Sequence, residues 1–409
     1  MKILVISQFY YPEPFQKLKD LCEGWTDAGH EVTVLTGLPN YPTGNIPREY
    51  QNGKNRQELI EGVRVFRLPL IPRRRSNIGL ALNYISWSSV ATFKMLFWEE
   101  RFDVVFCYQT SPVLVLFPAW LAKLKSRCNL VGYCLDQWPV SMLATLKSEC
   151  NLAYRVMNVV SGWLYRRCDS LAVTSEPFID YLVKEHQLSR DCMIYVPQHG
   201  NDDYLSEDFA KSINDGSVHL LFTGNMGQAQ DLETILKAVK QVRQDLSFVI
   251  DFVGSGSALA DCESFVKQES LTDRVKFHGR KPYAELPRYY RQADACLVTL
   301  RHENAIGLTL PGKMQDYLAV GKPIIGAIDG AGAQVIEDAR CGFCVNAGDS
   351  EALARAIEDF IEHRAKYIDC GKNARRYYAQ HFTKKKVLKQ FLDILSANEG
   401  REKNDGFRG

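Results

Sequence analysis

The chain has 409 residues, which is too long for one ordinary hydrophobic core and predicts two or three domains. Its hydrophobic fraction of 46% and charged fraction of 24% are those of a globular protein and exclude the collagen-like, disordered and coiled-coil classes. Lys and Arg total 50 against 48 Asp and Glu, so the formal charge of +2 gives no indication of a nucleic-acid partner.

The first forty residues predict a strand, a helix and a second strand. Residues 3–7 form a short apolar run without alternation, which is typical of a strand buried on both faces. A helical stretch through Leu18 and Trp25 ends at Gly29, a residue that readily takes the left-handed conformation of a helix cap. Residues 31–36 are the second strand. This order is a βαβ unit and requires a parallel sheet.

The same alternation continues along the chain in two series. The first series predicts strands at 63–68, 104–107, 129–134 and 171–174 and helices at 80–97, 114–125 and 154–167. The periodicity lapses around 196–202, where we place the crossover between domains. The second series predicts strands at 219–223, 248–253, 275–278, 295–298 and 323–327 and helices at 231–242, 314–320, 350–361, 365–382 and 384–395.

We therefore predict an α/β protein with two Rossmann-like, doubly wound domains that face each other across a cleft. Residues 1–200 form the first domain, 201–382 the second and 383–397 a closing C-terminal helix, while the polar tail 398–409 is predicted to be disordered. Such sheets bind ligands at the carboxyl ends of their strands, so the site is expected in the cleft.

Cysteine content and hydrophobicity predict a cytoplasmic protein. The first apolar run is too short for a signal peptide, and no stretch reaches the roughly 18 apolar residues of a spanning helix. Among twelve cysteines, Cys341 and Cys344 form the only C-x-x-C, and no second pair stands near enough to complete a zinc site. We interpret the cysteines as small buried residues in a reducing compartment, and we expect no metal.

The basic triplet Arg73, Arg74 and Arg75 precedes an apolar stretch at 78–97 and leaves two interpretations open. One is a basic, amphipathic patch at the inner face of the cell membrane, which would suit an acceptor linked to polyprenyl diphosphate. The other is a core helix with a charged entry loop.

The segment 310–325 is the most informative part of the sequence. Pro311 and Gly312 lie at a predicted helix start, where free N–H groups and the helix dipole favour a phosphate. Lys313 adds a cation at the same end, and Asp316, about one turn later, can accept hydrogen bonds from ribose hydroxyls. Gly321 is a predicted helix cap. An ordinary capped helix that leads into a strand explains the pattern equally well.

Other residues at predicted strand ends give weaker signals. The turns 224–227 and 254–257 are glycine-rich and would let a ligand approach the backbone, although neither matches G-x-G-x-x-G or a P-loop. Arg280 and Lys281 follow a strand and either bring cations to the same edge or are simply solvated.

These segments carry a resemblance to a known family. The sequence resembles the retaining family 4 glycosyltransferases, which have the GT-B fold, and among them the bacterial O-antigen, capsule and colanic-acid branch that includes fucosyl- and N-acetylfucosaminyl-transferases. The resemblance extends from residue 1 to about residue 395, and the similar segments are 1–13, 29–42, 135–141, 224–230 and 311–323.

The resemblance implies transfer of a sugar from a nucleoside-diphosphate sugar, with UDP as the expected nucleotide, to a saccharide acceptor in surface-polysaccharide synthesis. The donor is a co-substrate, and no other cofactor is implied. Asp316 stands where the family has the acidic residue that grips the donor ribose, although the family residue is Glu. The first glutamate of the family's pair has no clean counterpart, and Glu303 serves only if the loop carries an insertion.

The family's Arg and Lys pair after the first strand of the second domain is missing here. We assign its charge to Lys313, Arg280 and the backbone amides of Gly307 and Gly312. The candidate catalytic residues are thus Asp136 and Lys313, and the candidate donor-binding residues are Gly224, Asn225, Gly227, Arg280, Lys281, Glu303, Gly307, Pro311, Gly312 and Asp316.

In the first domain, Asp136 follows a strand and stands beside Trp138, near the family's polar residue that approaches the acceptor or the reacting sugar. It could equally cap a turn. Glu13 and residues 41–44 are further acceptor-side candidates. His199 is either a hinge residue or a surface loop histidine, and residues 201–203 resemble a turn or helix start.

The expected mechanism is stabilisation of the leaving diphosphate by helix N-termini and cations. A front-face displacement, in which the leaving phosphate takes the acceptor proton, agrees with a sequence that has no carboxylate pair at glycosidase spacing. Closure of the domains would exclude water. Two alternatives remain open, a nucleotide-sugar 2-epimerase of the same fold and a non-catalytic subunit of a polysaccharide assembly complex.

Overall fold

The structure is a computed structural model that describes residues 1–74, 76–146, 148–210, 217–301 and 308–397. It forms two compact units. The first unit is Met1–Pro197 together with the C-terminal segment from Lys385, and the second is Gln198–Lys384. The boundary predicted after residue 200 falls inside the second unit, and the tail 398–409 lies outside the described residues.

The first unit is built on an eight-stranded sheet with the order β3-β4-β2-β1-β5-β6-β7-β8. All neighbours run parallel except β3 and β4, which are antiparallel. The strands are β1 Lys2–Ile6, β2 Glu31–Gly37, β3 Gln57–Ile60, β4 Val63–Leu68, β5 Val104–Gln109, β6 Asn129–Cys134, β7 Ser170–Val173 and β8 Met193–Tyr195.

Helices cover both faces of this sheet, and β1 shows why its sequence does not alternate. Leu4 and Ile6 belong to the hydrophobic core on one face, while Ile3 and Val5 belong to the core on the other. The helices are α1 Gln16–Asp27, α2 Asn77–Leu96, α3 Leu116–Ser126, α4 Leu143–Leu146, α5 Leu152–Tyr165 and α6 Glu176–His186. Residues of α2, α3, α5 and α6 pack into the first of these cores and residues of α1 into the second.

The second unit has a six-stranded parallel sheet with the order β11-β10-β9-β12-β13-β14. Its strands are β9 Val218–Asn225, β10 Phe248–Ser255, β11 Val275–Phe277, β12 Ala295–Thr299, β13 Ile324–Ala327 and β14 Gly342–Val345. Its helices are α7 Leu232–Gln241, α8 Leu259–Gln268, α9 Leu286–Gln292, α10 Met314–Val320, α11 Gly330–Ala339, α12 Ser350–Glu362 and α13 Ile368–His381. The predicted architecture of two doubly wound, Rossmann-like α/β domains is confirmed.

The last helix, α14 Lys384–Ala397, packs with the first unit. Its Phe391 is fully buried and makes edge-to-face contact with Trp25 of α1, with ring centroids 6.2 Å apart. The chain therefore returns to its first unit after completing the second. Within the described ranges, no helix combines the length and the apolar content that a bilayer crossing requires.

Candidate functional site

The order of strands in the second unit reverses between β9 and β12. Loops on either side of such a reversal leave in opposite directions, and the crevice between them is the usual ligand position in a doubly wound sheet. Here the segment after β9 begins at Met226, and the segment after β12 begins at Leu300 and includes the described residues 308–313. The predicted donor segment thus begins at the topological switch point of its unit.

Lys313 lies against the end of β9. Its Nζ is 3.5 Å from the centroid of the buried Phe222 ring and donates a hydrogen bond to Gln230 Oε1 at 2.6 Å. A Cβ built on Gly224 would lie 3.6 Å from Lys313 Cε and 3.9 Å from its Nζ. The structure therefore brings together Lys313 and the first predicted glycine turn, although 89 positions separate them in the numbering.

Burial lowers the pKa of Lys313 well below the usual lysine value. A buried ammonium group loses hydration, whereas a ligand phosphate beside it would favour the charged form and reverse the shift. The position of Lys313 is consequently suited to an anionic ligand.

Asp316 stands in the first turn of α10, where the sequence predicts a ribose-binding carboxylate. Its Oδ1 accepts hydrogen bonds from Asn201 N at 3.1 Å and from the hydroxyl of Tyr283 at 3.4 Å. Burial, followed by the Asp316 charge, raises the pKa of Tyr283, so its hydroxyl remains a donor. The Tyr283 ring stacks on Tyr204, with centroids 6.2 Å apart. The partly exposed carboxylate and the half-exposed ring form a surface suited to a hydroxyl-bearing, planar ligand.

The helix α10 has the predicted bounds, Met314–Val320. Pro311 and Gly312 precede α10, whose first residue, Met314, donates its N–H to Pro311 O at 3.0 Å. Gly321 does end this helix in the left-handed conformation, with φ of +72°. Tyr317, on the buried side of α10, accepts a hydrogen bond from Thr223 N at 2.8 Å. This bond fixes α10 to β9 and thereby positions Lys313.

The two glycine turns pack on each other. A Cβ on Gly254 would come within 1.8 Å of Gly224 O, and one on Gly256 within 2.3 Å of the Met226 carbonyl carbon. Gly224 itself has φ of +111° and remains exposed, as does Asn225. The absence of side chains therefore serves first to let two backbone turns meet, and it leaves the outer surface of the β9 turn open.

The remaining predicted donor positions are more scattered. Gly227 follows Asn225, and its Cβ would lie 2.9 Å from the Asn225 amide nitrogen. Arg280 is exposed and Lys281 partly exposed after β11, the edge strand two places from β9, and neither forms an ion pair with another residue in the described ranges. Glu303 and Gly307 lie outside the described residues.

In the first unit, Asp136 follows β6, and side chains hold its carboxylate. It accepts hydrogen bonds from the hydroxyls of Ser111 and Ser141 and from Trp138 Nε1, the last at 3.2 Å. The Trp138 indole also donates to Ser111 Oγ at 3.0 Å. A turn cap would bind backbone N–H groups, whereas these donors are side chains from the loops after β5 and β6. The observed contacts therefore differ from those of the turn-cap interpretation.

A chain of buried amides connects the ends of β1 and β2 with α2. Gln8 Nε2 donates to Asn83 Oδ1 at 2.8 Å, and Asn83 Nδ2 donates to Asn40 Oδ1 at 3.2 Å. The Asn40 oxygen also accepts the N–H of Arg73 at 3.0 Å. This network holds the loop before α2 against the carboxyl edge of the sheet.

Glu13, a further acceptor-side candidate, is a buried anchor for the loop after β2. Its carboxylate accepts hydrogen bonds from the backbone N–H groups of Asn40 at 2.9 Å, Tyr41 at 2.7 Å and Tyr10 at 3.3 Å. Burial raises the pKa of Glu13 from 4.5 to about 7, and these three hydrogen bonds only partly offset the effect. Since the residue is 5% exposed, its direct role is to hold the 38–44 loop.

The raised pKa of Glu13 predicts a pH-dependent stability. The folded state holds this proton more tightly than the unfolded chain, so the contribution is complete below pH 4.5 and is lost as pH rises through about 7. Over that window we expect the unfolding free energy to fall by about 3 kcal/mol, and Glu13→Gln should remove that part of the fall. Urea unfolding at pH 5 and pH 8 measures it. The exposed Glu61→Gln is the control, and an unchanged pH dependence in Glu13→Gln contradicts the prediction.

Two predictions near the crossover have different outcomes. His199 is only 3% exposed and its Nδ1 lies 2.8 Å from Gly200 O, so its interpretation as a surface loop histidine is wrong. Residues 201–203 do begin a helical turn, because Asn201 accepts a hydrogen bond from Asp203 N at 3.0 Å and a 3₁₀ helix follows. In the described part of the chain, no group of three or more His, Cys, Asp or Glu residues could hold a metal ion.

Two family models match successive parts of the chain. The one described as "Glycosyl transferase 4-like domain" matches residues 16–198, and the one described as "Glycosyl transferases group 1" matches residues 204–377. The first match corresponds to the first unit and the second match lies within the second unit. The chain belongs to the glycosyltransferases.

Individual relatives agree with this assignment. The glycosyltransferase is 26% identical to WcaI of Escherichia coli K12, named for colanic acid biosynthesis, over 97% of this chain and 100% of WcaI. It is 27% identical to the glycosyltransferase WbjE of Pseudomonas aeruginosa over 71% of this chain and 74% of WbjE. Among solved structures, Anabaena HepE in complex with UDP superposes with a TM-score of 0.70 at 16% identity, covering 97% of this chain and 100% of HepE. The predicted GT-B fold is confirmed.

Proposed function

We propose that this glycosyltransferase moves a sugar from a nucleoside diphosphate, UDP by preference, to a hydroxyl group of a saccharide acceptor, with retention at the anomeric carbon. The observation that carries the proposal is the placement of Lys313 against the open Gly224 turn, with Asp316 one turn further along α10.

The donor half of the proposal rests on these residues of the second unit. Lys313 supplies a cation at the strand end where the family's Arg and Lys pair is missing, and burial lowers its pKa. Negative charge grows on the diphosphate as the glycosidic bond breaks, so a cation already in place stabilises the transition state more than the ground state. Solved structures of HepE in complex with UDP and with UDP-glucose support a uridine donor.

The acceptor half rests on Asp136 in the first unit, whose orientation three side-chain donors fix. A held carboxylate can accept a hydrogen bond from a sugar hydroxyl or stabilise positive charge on the reacting sugar. In the proposed front-face step, the bond from the anomeric carbon to the phosphate oxygen breaks, the bond to the acceptor oxygen forms, and the acceptor proton passes to the leaving phosphate.

The biological setting follows from the relatives. The name of WcaI supports a role in synthesis of a surface polysaccharide, and we propose an acceptor carried on polyprenyl diphosphate at the inner face of the cell membrane. The nucleotide-sugar 2-epimerase alternative is not favoured, because both matching family models describe glycosyl transferases. The non-catalytic alternative predicts no acceptor-dependent release of nucleoside diphosphate, and such release measured with purified protein would eliminate it.

Replacing Asp316 tests the donor site. We expect Asp316→Ala to weaken UDP binding by roughly 10- to 100-fold, because a hydrogen bond to a charged group contributes about 1.5–3 kcal/mol. Calorimetric titration with UDP measures the affinity, and thermal unfolding checks that the loss of the Asn201 contact leaves the fold intact. Asp338→Ala, an exposed carboxylate on α11, is the matched control. Wild-type UDP affinity in Asp316→Ala would remove this residue from the donor site.

A further inference from the structure

Three helices of the first unit, α2, α3 and α5, pack onto the same face of the sheet, with α3 in contact with both others. Their inner residues belong to the core, as expected. The outward residues of α2 are also apolar and recur at helical spacing, with Ile78 75% exposed and Phe93 63% exposed. The interpretation of this segment as an ordinary core helix therefore accounts for only one side of it.

The apolar stripe continues across the neighbouring helices. On α5, Leu152 is 76% exposed and Val159 72% exposed, again at helical spacing. Between α3 and α5, the partly exposed rings of Trp120 and Trp163 meet edge to face, with centroids 5.0 Å apart. We call the outward surface of α2, α3 and α5 the three-helix face. Single exposed apolar residues are normal on a protein surface, but aligned rows on adjacent helices indicate an interaction surface.

The charged residues on the three helices themselves are all basic. None of the three helices contains Asp or Glu, in a chain that has 48 acidic residues. Acidic residues occur just beyond the helix ends, at Glu99, Glu100 and Glu149, and along α6. The basic residues on or just before the helices are Arg73, Arg74, Lys94, Lys123, Lys125 and Arg155, while Arg75 lies outside the described residues.

We infer that the three-helix face lies on the surface of an anionic phospholipid bilayer, with its helices in the plane of the interface. Large apolar side chains with basic residues around them are the composition of such interfacial helices, and tryptophan favours the same depth. Arg167 stacks on Trp120 and Trp163, with its guanidinium carbon 5.7 and 4.7 Å from their ring centroids, and thus places a cation at the level of the lipid phosphates.

Charge also favours a bilayer over a second copy of this chain. A twofold dimer through the three-helix face would set these acid-free helices against each other and bring their basic residues together. An anionic lipid surface supplies the opposite charge. The inference rests on the first unit alone and holds whichever nucleotide the second unit binds.

Tryptophan fluorescence of the wild-type protein tests the inference without any mutation. Of the six tryptophans, Trp25, Trp87, Trp98 and Trp138 are buried, so Trp120 and Trp163 report on the three-helix face. Vesicles of phosphatidylethanolamine and phosphatidylglycerol with brominated acyl chains should quench them, and Trp120→Phe/Trp163→Phe should lose that quenching. Absence of quenching in wild-type protein that co-sediments with the same vesicles overturns the inference.

Vesicle sedimentation with matched variants measures how much the exposed apolar side chains contribute to binding. Ile78→Ser/Phe93→Ser/Phe97→Ser should abolish binding, because burial of one large apolar side chain changes a partition coefficient by roughly tenfold or more. Leu59→Ser/Ile368→Ser, at exposed apolar positions elsewhere, should bind as wild type. Because all these side chains are exposed, the variants are expected to fold, and thermal unfolding checks this.

Charge neutralisation has its own control. Arg74→Gln/Lys94→Gln/Arg155→Gln should weaken binding to anionic vesicles by on the order of 100-fold, about fivefold for each residue. Lys267→Gln/Lys276→Gln/Arg355→Gln removes three exposed charges of the second unit and should bind as wild type. Equal partitioning of both triple variants overturns the inference. So does a wild-type dimer in light scattering that the apolar triple variant converts to a monomer without any lipid binding.

The experiments distinguish a wrong assignment of the donor site from a wrong assignment of the membrane surface. The apolar triple variant should retain wild-type affinity for UDP and a wild-type rate with a soluble acceptor. If it binds vesicles poorly yet keeps both, the three-helix face is the membrane surface. A wild-type protein that binds vesicles but not UDP leaves this inference intact and contradicts the proposed function.

Discussion

Lys313→Met is expected to lower the rate of sugar transfer by on the order of 1000-fold without destabilising the folded protein, because removal of one preorganised group that stabilises transition-state charge costs roughly 100- to 1000-fold. The methionine side chain can still pack on Phe222. It cannot hold a positive charge beside the Gly224 turn.

The stability of this variant separates a functional role from a structural one. Burial lowers the folded-state pKa of Lys313 below its unfolded value, so the buried ammonium group costs stability at neutral pH and the cost disappears as pH rises. Methionine removes that cost and loses the hydrogen bond to Gln230. We therefore expect an unfolding temperature at or above that of the wild type.

Three measurements on Lys313→Met complete the test. Acceptor-dependent release of nucleoside diphosphate gives the rate, thermal unfolding at pH 7 gives the stability, and calorimetry in two buffers of different ionisation enthalpy gives the proton uptake when UDP binds. A bound phosphate raises the pKa of Lys313, so any difference in proton uptake should be a larger uptake by the wild type than by the variant. The exposed Lys276→Met is the control. A variant with the wild-type rate, or one that unfolds far below the wild type, contradicts the assignment.

The local sequence pattern was sufficient to predict most strands of the two sheets. Buried strands such as β1 and β9 are short apolar runs with helices on both sides, and the period of the pattern identifies them. The strand β14 was missed because all four of its residues are only partly buried. The helix α11 was missed because its first four residues, Gly-Ala-Gly-Ala, give no apolar period.

The candidate donor site could be predicted only where its residues are neighbours in sequence. Lys313 and Asp316 share one segment, and the family resemblance identifies them together. Their partners Gln230, Tyr283 and Phe222 come from distant segments, and no local pattern places a glutamine oxygen or a ring against them. Tertiary packing alone decides those contacts.

The first unit shows the same limit for polar residues. Glu13 stands in a proline-containing loop, where the sequence is typical of an exposed position. The residue is nevertheless buried, and its carboxylate accepts hydrogen bonds from three backbone N–H groups. Ser111 and Ser141 gave no signal, because serine is common in loops and their shared contact with Asp136 joins two strands. The carboxylate could be predicted, whereas the donors that orient it could not.

Asp136→Asn is expected to lower the transfer rate by roughly 100- to 1000-fold, because loss of one preorganised group that stabilises transition-state charge costs about that much. UDP affinity should stay within about twofold of the wild type, since the proposal assigns UDP to residues of the second unit. Asparagine keeps the shape of the side chain. It loses the charge, and one of its two polar atoms becomes a donor that faces the Ser111 and Ser141 hydroxyls or the Trp138 indole.

Two further variants separate charge from orientation at Asp136. Ser111→Ala removes one donor and leaves the charge, so kcat/KM for the acceptor should fall by only roughly 10- to 100-fold, in line with the roughly 1.5–3 kcal/mol of one hydrogen bond to a charged group. We expect KM for the acceptor to rise and kcat to stay nearly constant. Asp27→Asn, an exposed carboxylate on α1, is the control. One outcome would contradict the catalytic role: Asp136→Asn binds UDP and transfers sugar at the wild-type rate, while Ser111→Ala unfolds at a lower temperature than the wild type. The cluster of Asp136, Ser111 and Trp138 would then stabilise the loops after β5 and β6 and take no part in the reaction. In the opposite outcome, the Asp136→Asn protein is stable and binds UDP but shows no acceptor-dependent release of nucleoside diphosphate. That outcome requires a role for this carboxylate in the transfer step itself.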